Sequence, residues 1–464
     1  MSKTLIVIGG GPGGYAAAIK AAQLGAQVIL AESASLGGTC LNAGCVPTKS
    51  LLHTAVCYRR ALTDAVPGIK TSGVELDWPG AQSSKATVVK RLAGGVEALL
   101  RQNGVAVRNE KAVPLSGHSV KIGNETYAAD AVILAVGSVN TPLVFPGAGL
   151  PCVFDSSRAL SLERVPESMV IVGGGVIGLE FAALFSMLGS KITIIELTPN
   201  LLPLMDADIS EYMQASLESD GVCIHTTARL TDVKNSPDGC LVSFNKAGET
   251  LTVPAETVLV AAGRQPNTVG QNLESIGVKI TDGAVDTDEC FRTNIDGLYA
   301  VGDCNGKAML AHAATAQGET AAEHIMISGS HINNKIIPAC VYTSPEIASA
   351  GLTEKQVQAS GIEYGIGYFN LSGNAKAVIE GSHGFVKIIA DKKYGEILGV
   401  HIVGPNATEL IAGAALCMSM EGTIEDIVNT IHAHPTVSES LREAASALRN
   451  AEHKMRVAAA EIRR

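Results

Sequence analysis

Residues 4–14 read TLIVIGGGPGG, a continuous apolar run that passes directly into a cluster of glycines. An apolar run without polar alternation is typical of a strand buried on both faces of a parallel sheet. Gly9, Gly11 and Gly14 fit the pattern G-x-G-x-x-G, which allows a sharp turn and the close approach of a pyrophosphate to a helix N-terminus. This stretch therefore predicts a strand, a glycine turn and a helix that together bind a dinucleotide.

The residues that follow supply the acid that such a unit uses. Residues 27–31 form a second apolar run, and Glu32 comes directly after it. A carboxylate about 20 residues beyond the glycines accepts a hydrogen bond from a ribose hydroxyl. A glycine pattern alone would be weak evidence, but strand, turn, helix and acid in this order are specific.

The same signature occurs again in the middle of the chain. Residues 169–172 are apolar, residues 191–195 read KITII and predict the next strand, and the matching glycines and acid are Gly173, Gly175, Gly178 and Glu196. Two such units predict two bound nucleotides. Glu196 would repel a 2′-phosphate and accept from a free 2′-hydroxyl, and no arginine follows it directly. The second unit is therefore expected to bind NAD rather than NADP.

Two cysteines lie just beyond the first unit, in residues 37–49, which read GGTCLNAGCVPTK. A regular helix would place the α-carbons of Cys40 and Cys45 farther apart than a disulfide tolerates, so we expect the pair to straddle a distorted helix start. Thiols at helix N-termini are stabilised as thiolates, but a helix end contributes at most about 2 kcal/mol. A flavin ring, Lys49 or a protonated histidine would supply the rest. The spacing predicts a reactive pair, with two unrelated buried thiols as the alternative.

The composition argues against several classes of protein. The chain has 464 residues and a formal net charge of -10, which disfavours nucleic acid or an anionic membrane as a partner. Its ten cysteines lack the spacing of a disulfide scaffold or a zinc site. The apolar run at residues 4–8 is too short for a signal sequence, and no run is long enough to span a membrane. We expect a cytoplasmic protein without a metal site, in which a disulfide would be catalytic.

The overall pattern predicts an α/β fold with two Rossmann-like dinucleotide-binding domains and a C-terminal α+β domain. Short strands run into glycine at residues 131–137 and 257–263, and from about residue 335 strands with polar alternation, such as 384–390 and 397–403, are interleaved with helices. The expected divisions are the first nucleotide-binding domain over residues 1–140, the second over 141–267, a return to the first over 268–334, and the last domain over 335–464.

Two further stretches carry candidate features. Residues 298–303, LYAVGD, predict a strand that brings Asp303 to the carboxyl edge of a sheet, where ligands usually bind; a helix cap is the alternative. Residues 437–464 predict a helix, which would cover a subunit or partner surface, or lie on the surface without a separate role. Its apolar residues recur at helical spacing, at Leu441, Ala445, Leu448, Ala451 and Met455.

These motifs together resemble those of the pyridine nucleotide-disulfide oxidoreductases. The likeness rests on the two glycine signatures, the cysteine stretch, TNIDGLYAVGD in residues 293–303 and HAHPTVSE in residues 432–439. It covers nearly the whole chain in the order that the family shows. The resemblance implies FAD on the first unit, NAD on the second and a C-terminal dimerisation domain.

The resemblance also implies roles for residues around the cysteines. Cys40 would exchange with the substrate, and Cys45 would face the flavin. Lys49 would lie near the flavin and pair with Glu180. If so, Glu180 is a buried acid; the alternative is that Glu180 lies on the rim of a helix. The residues expected at the cofactors are Gly9, Gly11, Gly14, Glu32, Lys49, Gly137, Asp303 and His312 for FAD, and Gly173, Gly175, Gly178, Glu196 and Gly263 for NAD.

A histidine near the C-terminus completes the implied active site. His434 resembles the catalytic base of the family, and Glu439 would orient it, whereas His432 would be supporting structure. Without the resemblance, two histidines beside a proline would be interpreted as an exposed loop. Family members take this histidine from the opposite subunit, so the resemblance implies that the active site requires a homodimer.

The activity implied by the resemblance is the oxidation of protein-bound dihydrolipoamide to lipoamide with reduction of NAD. The lipoyl group would arrive on another protein of a multienzyme complex that processes 2-oxo acids. One alternative is a related NAD(P)H-dependent disulfide reductase. Another is a flavoprotein that serves chiefly in docking or redox sensing, although a reactive cysteine pair with a matching base argues against a purely structural role.

Overall fold

The computed structural model describes residues 2–63, 68–327 and 336–462, with side chains described as far as residue 451. The first part of the chain contains a parallel-sheet unit, the cysteine helices and an antiparallel meander. Its elements are β1 (Thr4–Ile8), α1 (Pro12–Gln23), β2 (Gln27–Ala31), α2 (Gly38–Ala43), α3 (Cys45–Leu62), α4 (Trp78–Gln102), β3 (Ala106–Arg108), β4 (Ala112–Ser116), β5 (Ser119–Ile122), β6 (Glu125–Ala128), β7 (Ala131–Leu134) and β8 (Ser138–Asn140).

The middle of the chain contains a second parallel-sheet unit and then returns to the first. Its elements are β9 (Val153–Asp155), α5 (Ser156–Ala159), β10 (Ser168–Val172), α6 (Val176–Met187), β11 (Lys191–Ile195), α7 (Ala207–Ser219), β12 (Cys223–His225), β13 (Ala228–Ser236), β14 (Gly239–Lys246), β15 (Glu249–Ala255), β16 (Thr257–Val260), β17 (Arg264–Pro266), β18 (Ile280–Thr281), β19 (Ala284–Val285), β20 (Leu298–Ala300) and α8 (Ala311–Met326).

The last part of the chain forms an antiparallel sheet with helices. Its elements are β21 (Ala339–Val341), β22 (Glu346–Gly351), α9 (Glu354–Ser360), β23 (Tyr364–Asn370), α10 (Ala375–Ile379), β24 (Phe385–Asp391), β25 (Ile397–Gly404), α11 (Ala407–Ser419), α12 (Ile424–Asn429) and α13 (Glu439–Ile462). The predicted boundary near residue 335 falls in residues 328–335, outside the described residues.

β1 lies at the centre of a parallel sheet with the strand order β20-β7-β1-β2-β3. Leu5, Ile6 and Val7 of β1 are fully buried, as expected for an apolar run with strands on both sides. β20 comes from a distant part of the chain, so two separate pieces build this sheet. Helix α1 packs closely against α8 because both helices present alanine and glycine at their contact.

β10 occupies the same central place in a second parallel sheet, with the order β12-β11-β10-β16-β9. In each sheet the strand before the glycine turn lies between the strand that ends at the acid and a strand from later in the chain. The repeated sequence signature thus corresponds to a repeated structural unit. The predicted α/β architecture is confirmed.

The two connections between the parallel-sheet units run side by side. β8, where the chain leaves the first unit, pairs antiparallel with β17, where it returns, over Ser138 to Pro266 and Asn140 to Arg264. The predicted boundaries near residues 140 and 267 lie at this ribbon. The division into domains stays a prediction.

The C-terminal sheet has the order β21-β22-β25-β24-β23, and its central strands are buried on both faces. The polar residues that interrupt them, Lys387 and His401, are each 1% exposed. They share a face with Phe385, whose ring contacts Tyr212 of α7 at 5.7 Å between centroids. Polar alternation therefore marks a face that packs against the second nucleotide-binding unit rather than a solvated face.

The C-terminal helix predicted over residues 437–464 begins at Glu439 and is described to Ile462. Of its predicted apolar positions, Leu441, Ala445 and Leu448 are buried and Ala451 is exposed, while the side chain of Met455 lies outside the described residues. Across the described ranges, no helix combines the length and apolar character needed to span a membrane.

Candidate active site

The first glycine turn leaves no room for side chains. Gly9 has φ +105°, and a Cβ built on it would lie 2.3 Å from the carbonyl oxygen of Ala135. A Cβ on Gly14 would lie 1.8 Å from the carbonyl oxygen of Gly9. Gly9 therefore permits the turn, and Gly14 permits the close approach of α1 to β1, while Gly11 lies where the backbone faces the neighbouring cavity.

Glu32 is held beside this turn by backbone donors. Its Oε2 accepts a hydrogen bond from the Gly10 N–H at 2.7 Å, and its Oε1 accepts from the Ala34 N–H at 2.7 Å. The side chain borders the cavity. A carboxylate fixed in this way has lone pairs left with which to accept a hydrogen bond from a ligand in the cavity.

The second turn repeats this geometry. Gly173 has φ +114°, and a Cβ on Gly178 would lie 2.0 Å from the Gly173 carbonyl oxygen. Glu196 accepts hydrogen bonds from the Gly174 N–H and, at 2.7 Å, from the Thr198 N–H. Both units therefore combine a left-handed glycine, a glycine that lets the helix approach, and an acid bound to the backbone of the turn.

The surroundings of the two turns differ. A Cβ on Gly38 of α2 would lie 2.7 Å from the Cα of Gly11, so the cysteine stretch lies directly over the first turn. The equivalent of Gly11 in the second turn is Gly175, and nothing lies within 4 Å of a Cβ built there. The cysteine stretch therefore covers the first turn at Gly11, whereas the space beside Gly175 in the second turn is open.

One cavity of about 1840 Å³ connects the two turns. Residues from both units line this cavity, and residues of α2 and α3 also border it. Of the residues predicted from the sequence, it is lined by Gly9, Gly11, Glu32, Cys40, Cys45, Lys49, Gly137, Gly173, Gly175, Glu180, Glu196, Gly263, Asp303 and His312. Gly14 and Gly178 do not line it and permit the close approach of their helices.

The cysteine pair straddles a helix break, as its spacing predicts. Cys40 lies in α2, Cys45 is the first residue of α3, and Gly44 between the helices has φ -145° and ψ -110°. Both are free thiols, and each shifts the pKa of the other. The Cys40 thiol, and to a lesser extent the Lys49 charge, lower the pKa of Cys45 to about 7, whereas the Cys45 thiol and burial raise the pKa of Cys40.

Lys49 and Glu180 form an ion pair at the wall of the cavity. Lys49 Nζ lies 2.7 Å from Oε1 and 2.8 Å from Oε2 of Glu180, which is 4% exposed. Oε1 also accepts the Tyr342 N–H at 3.1 Å, and Nζ lies 4.5 Å from the centroid of the Tyr342 ring. Glu180 is thus a buried acid with partners, since a buried carboxylate without them would be costly, and does not lie on the rim of its helix.

Two residues that were given no role from the sequence connect Asp303 to the ribbon formed by β8 and β17. Ser138 donates to Oδ2 of Asp303 at 2.5 Å, and Arg264 Nε donates to the Ser138 hydroxyl at 2.8 Å. Burial lowers the pKa of Arg264, whereas the nearby charges of Asp303 and Cys45 oppose that shift. The sequence signal for Arg264 was its place in residues 264–267, directly after the strand that runs into Gly263, but no role was predicted for these residues.

The predicted base lies apart from the cysteines of its own chain. His434 Nδ1 lies 2.9 Å from Oε1 of Glu439, and the His434 side chain is 73% exposed. Neither residue lines the cavity. His432 lies 3.3 Å from the Ser438 hydroxyl through Nδ1. In the described part of one subunit, the structure therefore forms the histidine–glutamate pair but does not bring it to the cysteine pair.

His312 sits at the edge of the cavity on α8. Its Nε2 lies 2.7 Å from the carbonyl oxygen of Pro338, which fixes the ring beside the strand that begins the C-terminal domain. Among the described residues, no group of three or more His, Cys, Asp or Glu side chains is arranged to hold a metal ion.

Family models match almost the whole chain. The model described as pyridine nucleotide-disulphide oxidoreductase matches residues 3–318, and the model of the dimerisation domain of the same family matches residues 337–445. A dihydrolipoyl dehydrogenase from Bacillus subtilis is 43% identical over 453 residues, which are 95% of this chain and 97% of that protein.

Solved structures agree with this fold. The structure of LpdA from Mycobacterium tuberculosis is 29% identical, with a TM-score of 0.87, and the match covers 96% of this chain and 99% of that one. The HOCl-induced flavoprotein disulfide reductase RclA from Escherichia coli is 27% identical, with a TM-score of 0.85 and the same coverage.

Proposed function

Because the chain belongs to the pyridine nucleotide-disulphide oxidoreductases, we propose that it is a dihydrolipoyl dehydrogenase that oxidises protein-bound dihydrolipoamide and reduces NAD. The observation that supports this function best is the cysteine pair with a lowered Cys45 pKa, located between two dinucleotide turns and beside the Lys49–Glu180 pair. Relatives with this function are similar over nearly their full length.

The chain uses FAD and NAD, and its residues fit both groups. The left-handed turns at Gly9 and Gly173 lead into the N-termini of α1 and α6, where a pyrophosphate would bind, and Glu32 and Glu196 are fixed beside them. FAD, when bound, supplies a two-electron carrier between the cysteine pair and NAD. Lys49 and Asp303, which both line the cavity, would contact FAD, and Glu196 would select NAD by accepting from the ribose.

The chemistry at the cysteines begins with the oxidised pair. A dihydrolipoamide thiol gives its proton to His434, its sulfur bonds to Cys40 Sγ, and the Cys45 thiolate leaves. The second substrate thiol then attacks the mixed disulfide, releasing lipoamide and the Cys40 thiol. Since a thiol of lower pKa leaves faster, the lowered pKa of Cys45 assists the first step.

The partners follow from the same assignment. The dimerisation-domain match supports a homodimer, in which His434 and Glu439 of one subunit would reach the cysteines of the other. A lipoyl-bearing protein of a multienzyme complex would present the substrate. A cytoplasmic location would agree with ten cysteines that are all free thiols.

The experiment is the anaerobic rate of NAD reduction by dihydrolipoamide, measured beside NADP and beside glutathione disulfide with NADH or NADPH. Rapid reaction with dihydrolipoamide and NAD alone is expected. Bleaching of the flavin by NADH without any reaction of dihydrolipoamide would instead favour a related disulfide reductase, to which the fold similarity with RclA also points. Replacement of Cys45 by serine separates catalysis from docking, because a docking protein would keep its biological effect without turnover.

A further inference from the structure

A buried lysine in the C-terminal sheet binds three carboxylates that the proposed chemistry does not use. Lys387 Nζ on β24 lies 2.9 Å from Asp206, 2.8 Å from Asp208 and 2.7 Å from Glu354. His401 Nε2 lies 3.9 Å from Asp206. We call these five residues the Lys387 cluster. It joins β24, β25 and α9 of the C-terminal domain to the start of α7 in the second nucleotide-binding unit.

Asp206 is the residue through which the cluster acts on its neighbours. It is 2% exposed and caps α7, and its Oδ2 accepts the Glu354 N–H at 2.8 Å. The residues directly before it, Pro203, Leu204 and Met205, line the cavity beside the second glycine turn. The position of Asp206 therefore fixes one end of a segment that borders the nucleotide site.

The other end of this segment is bound to the glycine turn itself. The Leu202 N–H donates to the Gly174 carbonyl at 2.9 Å, and a Cβ on Gly174 would lie 2.5 Å from Cδ2 of Leu201. The first unit has the same contact, where the Gly37 N–H donates to the Gly10 carbonyl at 2.8 Å. Residues 201–205 thus cover the second turn as the start of the cysteine stretch covers the first.

The two units differ in the residue that carries the left-handed backbone at this contact. In the first unit it is Gly37, with φ +93°, for which the conformation is inexpensive. In the second it is Leu202, with φ +48°, and a leucine adopts this conformation only where its surroundings impose it. The bond to Gly174 on one side and the anchored Asp206 on the other supply that constraint.

We propose that Lys387 is a positioning residue for the second nucleotide site: by anchoring Asp206, it holds residues 201–205 over the glycine turn that receives the dinucleotide. The inference rests on the proposed function, because it assigns NAD to this turn. It also means that the C-terminal domain contributes to nucleotide affinity from a residue that does not border the cavity.

The test is the binding of ADP-ribose to the FAD-loaded enzyme, measured by titration calorimetry. ADP-ribose carries the adenosine and pyrophosphate of NAD and exchanges no electrons. Lys387→Met leaves three carboxylates without their cation, so we expect the Kd to rise about tenfold, within the usual range of coupling between sites. Lys387→Arg is expected to restore most of the affinity, and Lys376→Met, which removes a lysine of a half-exposed pair with Glu380, is expected to change nothing.

A second variant keeps the test decisive if Lys387→Met does not fold. Asp206→Asn preserves the size of the side chain and its capacity to cap α7, but it loses the charged bond to Lys387. This variant should also weaken ADP-ribose binding, while its flavin content stays at that of the wild type. A lower melting temperature with an unchanged Kd in Asp206→Asn would overturn the inference and leave the proposed function intact. Failure of the wild-type enzyme to bind ADP-ribose would overturn both.

Discussion

At the scale of residues, the reactivity of Cys45 depends on the neighbouring Cys40 thiol and on two neighbouring charges. Lys49 lowers the pKa of Cys45, and Glu180 raises it, after the larger effect of the Cys40 thiol. Because Glu180 holds Lys49 through both of its oxygens, the two opposing effects reach Cys45 from one ion pair. With a pKa of about 7, the Cys45 thiol is about half ionised at neutral pH and becomes protonated in mild acid.

Lys49→Met should raise the pKa of Cys45 by about one unit, because it removes a nearby cation and leaves the Glu180 carboxylate unopposed. The pKa is measured from the ultraviolet absorbance of the thiolate in the reduced enzyme as the pH is varied. The wild-type midpoint is expected at about 7. Glu180→Gln is the matched control, since removing the carboxylate should shift the pKa in the opposite direction. Equal midpoints in all three proteins would contradict this account.

Glu439→Gln should lower the rate of dihydrolipoamide oxidation about 100-fold if Glu439 orients His434 as proposed. The carboxylate accepts the Thr436 N–H at 2.9 Å and lies 2.9 Å from His434, so both its position and its charge act on the ring. Oxidation of NADH by an artificial electron acceptor bypasses the disulfide and should be unchanged. A parallel fall in both rates would mean that the variant damages the fold.

At the scale of elements, each nucleotide unit depends on a helix that approaches its strand more closely than any side chain would permit. The distances from hypothetical Cβ atoms on Gly14 and Gly178 to the carbonyl oxygens of Gly9 and Gly173 are 1.8 and 2.0 Å. The obstacle is backbone in both units, which cannot rotate away as a side chain can. These two glycines are therefore structural requirements of the unit.

Gly14→Ala should displace the first turn of α1 and release most of the FAD, measured as flavin absorbance per chain after purification. Gly94→Ala in the exposed part of α4 is the control, because no atom lies within 4 Å of a Cβ built at Gly94. That variant should retain FAD and gain about 0.5–1 kcal/mol of stability against denaturant, as is usual for glycine-to-alanine changes inside helices. Full flavin content in Gly14→Ala would refute the packing argument.

The sequence predicted the elements whose pattern is local. The strands at residues 27–31 and 191–195 lie where their apolar runs place them, and the helix break between Cys40 and Cys45 follows from their spacing. The predicted run at residues 131–137 ends as a strand at Leu134, because the last residues turn toward the cavity. Contacts between residues that are far apart in the sequence could not be predicted from local patterns. Lys387 and Asp206, for example, are separated by 181 positions.

At the scale of the whole molecule, one subunit carries the two parts of the proposed active site at separate places. The cysteine pair lines a cavity that the base of the same chain does not reach, and the base is largely exposed. The family match over residues 337–445 identifies the domain that bears the base as the dimerisation domain. A dimer related by two-fold symmetry would complete both sites at once.

Subunits with different defects should therefore complement each other. In a hybrid of Cys45→Ser and His434→Gln subunits, one site has intact cysteines and an intact histidine, and the other has neither. Random re-pairing of equal amounts makes half of the dimers hybrids, so about a quarter of wild-type activity is expected.

Hybrids of Cys45→Ser with Cys40→Ser should stay inactive, because the two cysteines must come from one chain. A stable monomer with full activity would contradict the shared site.

The cover over the first glycine turn has a consequence for the lifetimes of the two complexes. Because the backbone at Gly38 packs on Gly11, we expect release of a nucleotide from the first turn to require local opening, which competes with the packing that the cysteine helices need. At the second turn, Gly175 has no such neighbour, so departure requires no opening at that point. We therefore expect a nucleotide at the first turn to exchange more slowly than one at the second, where residues 201–205 approach the turn at Gly174 but leave the space beside Gly175 open.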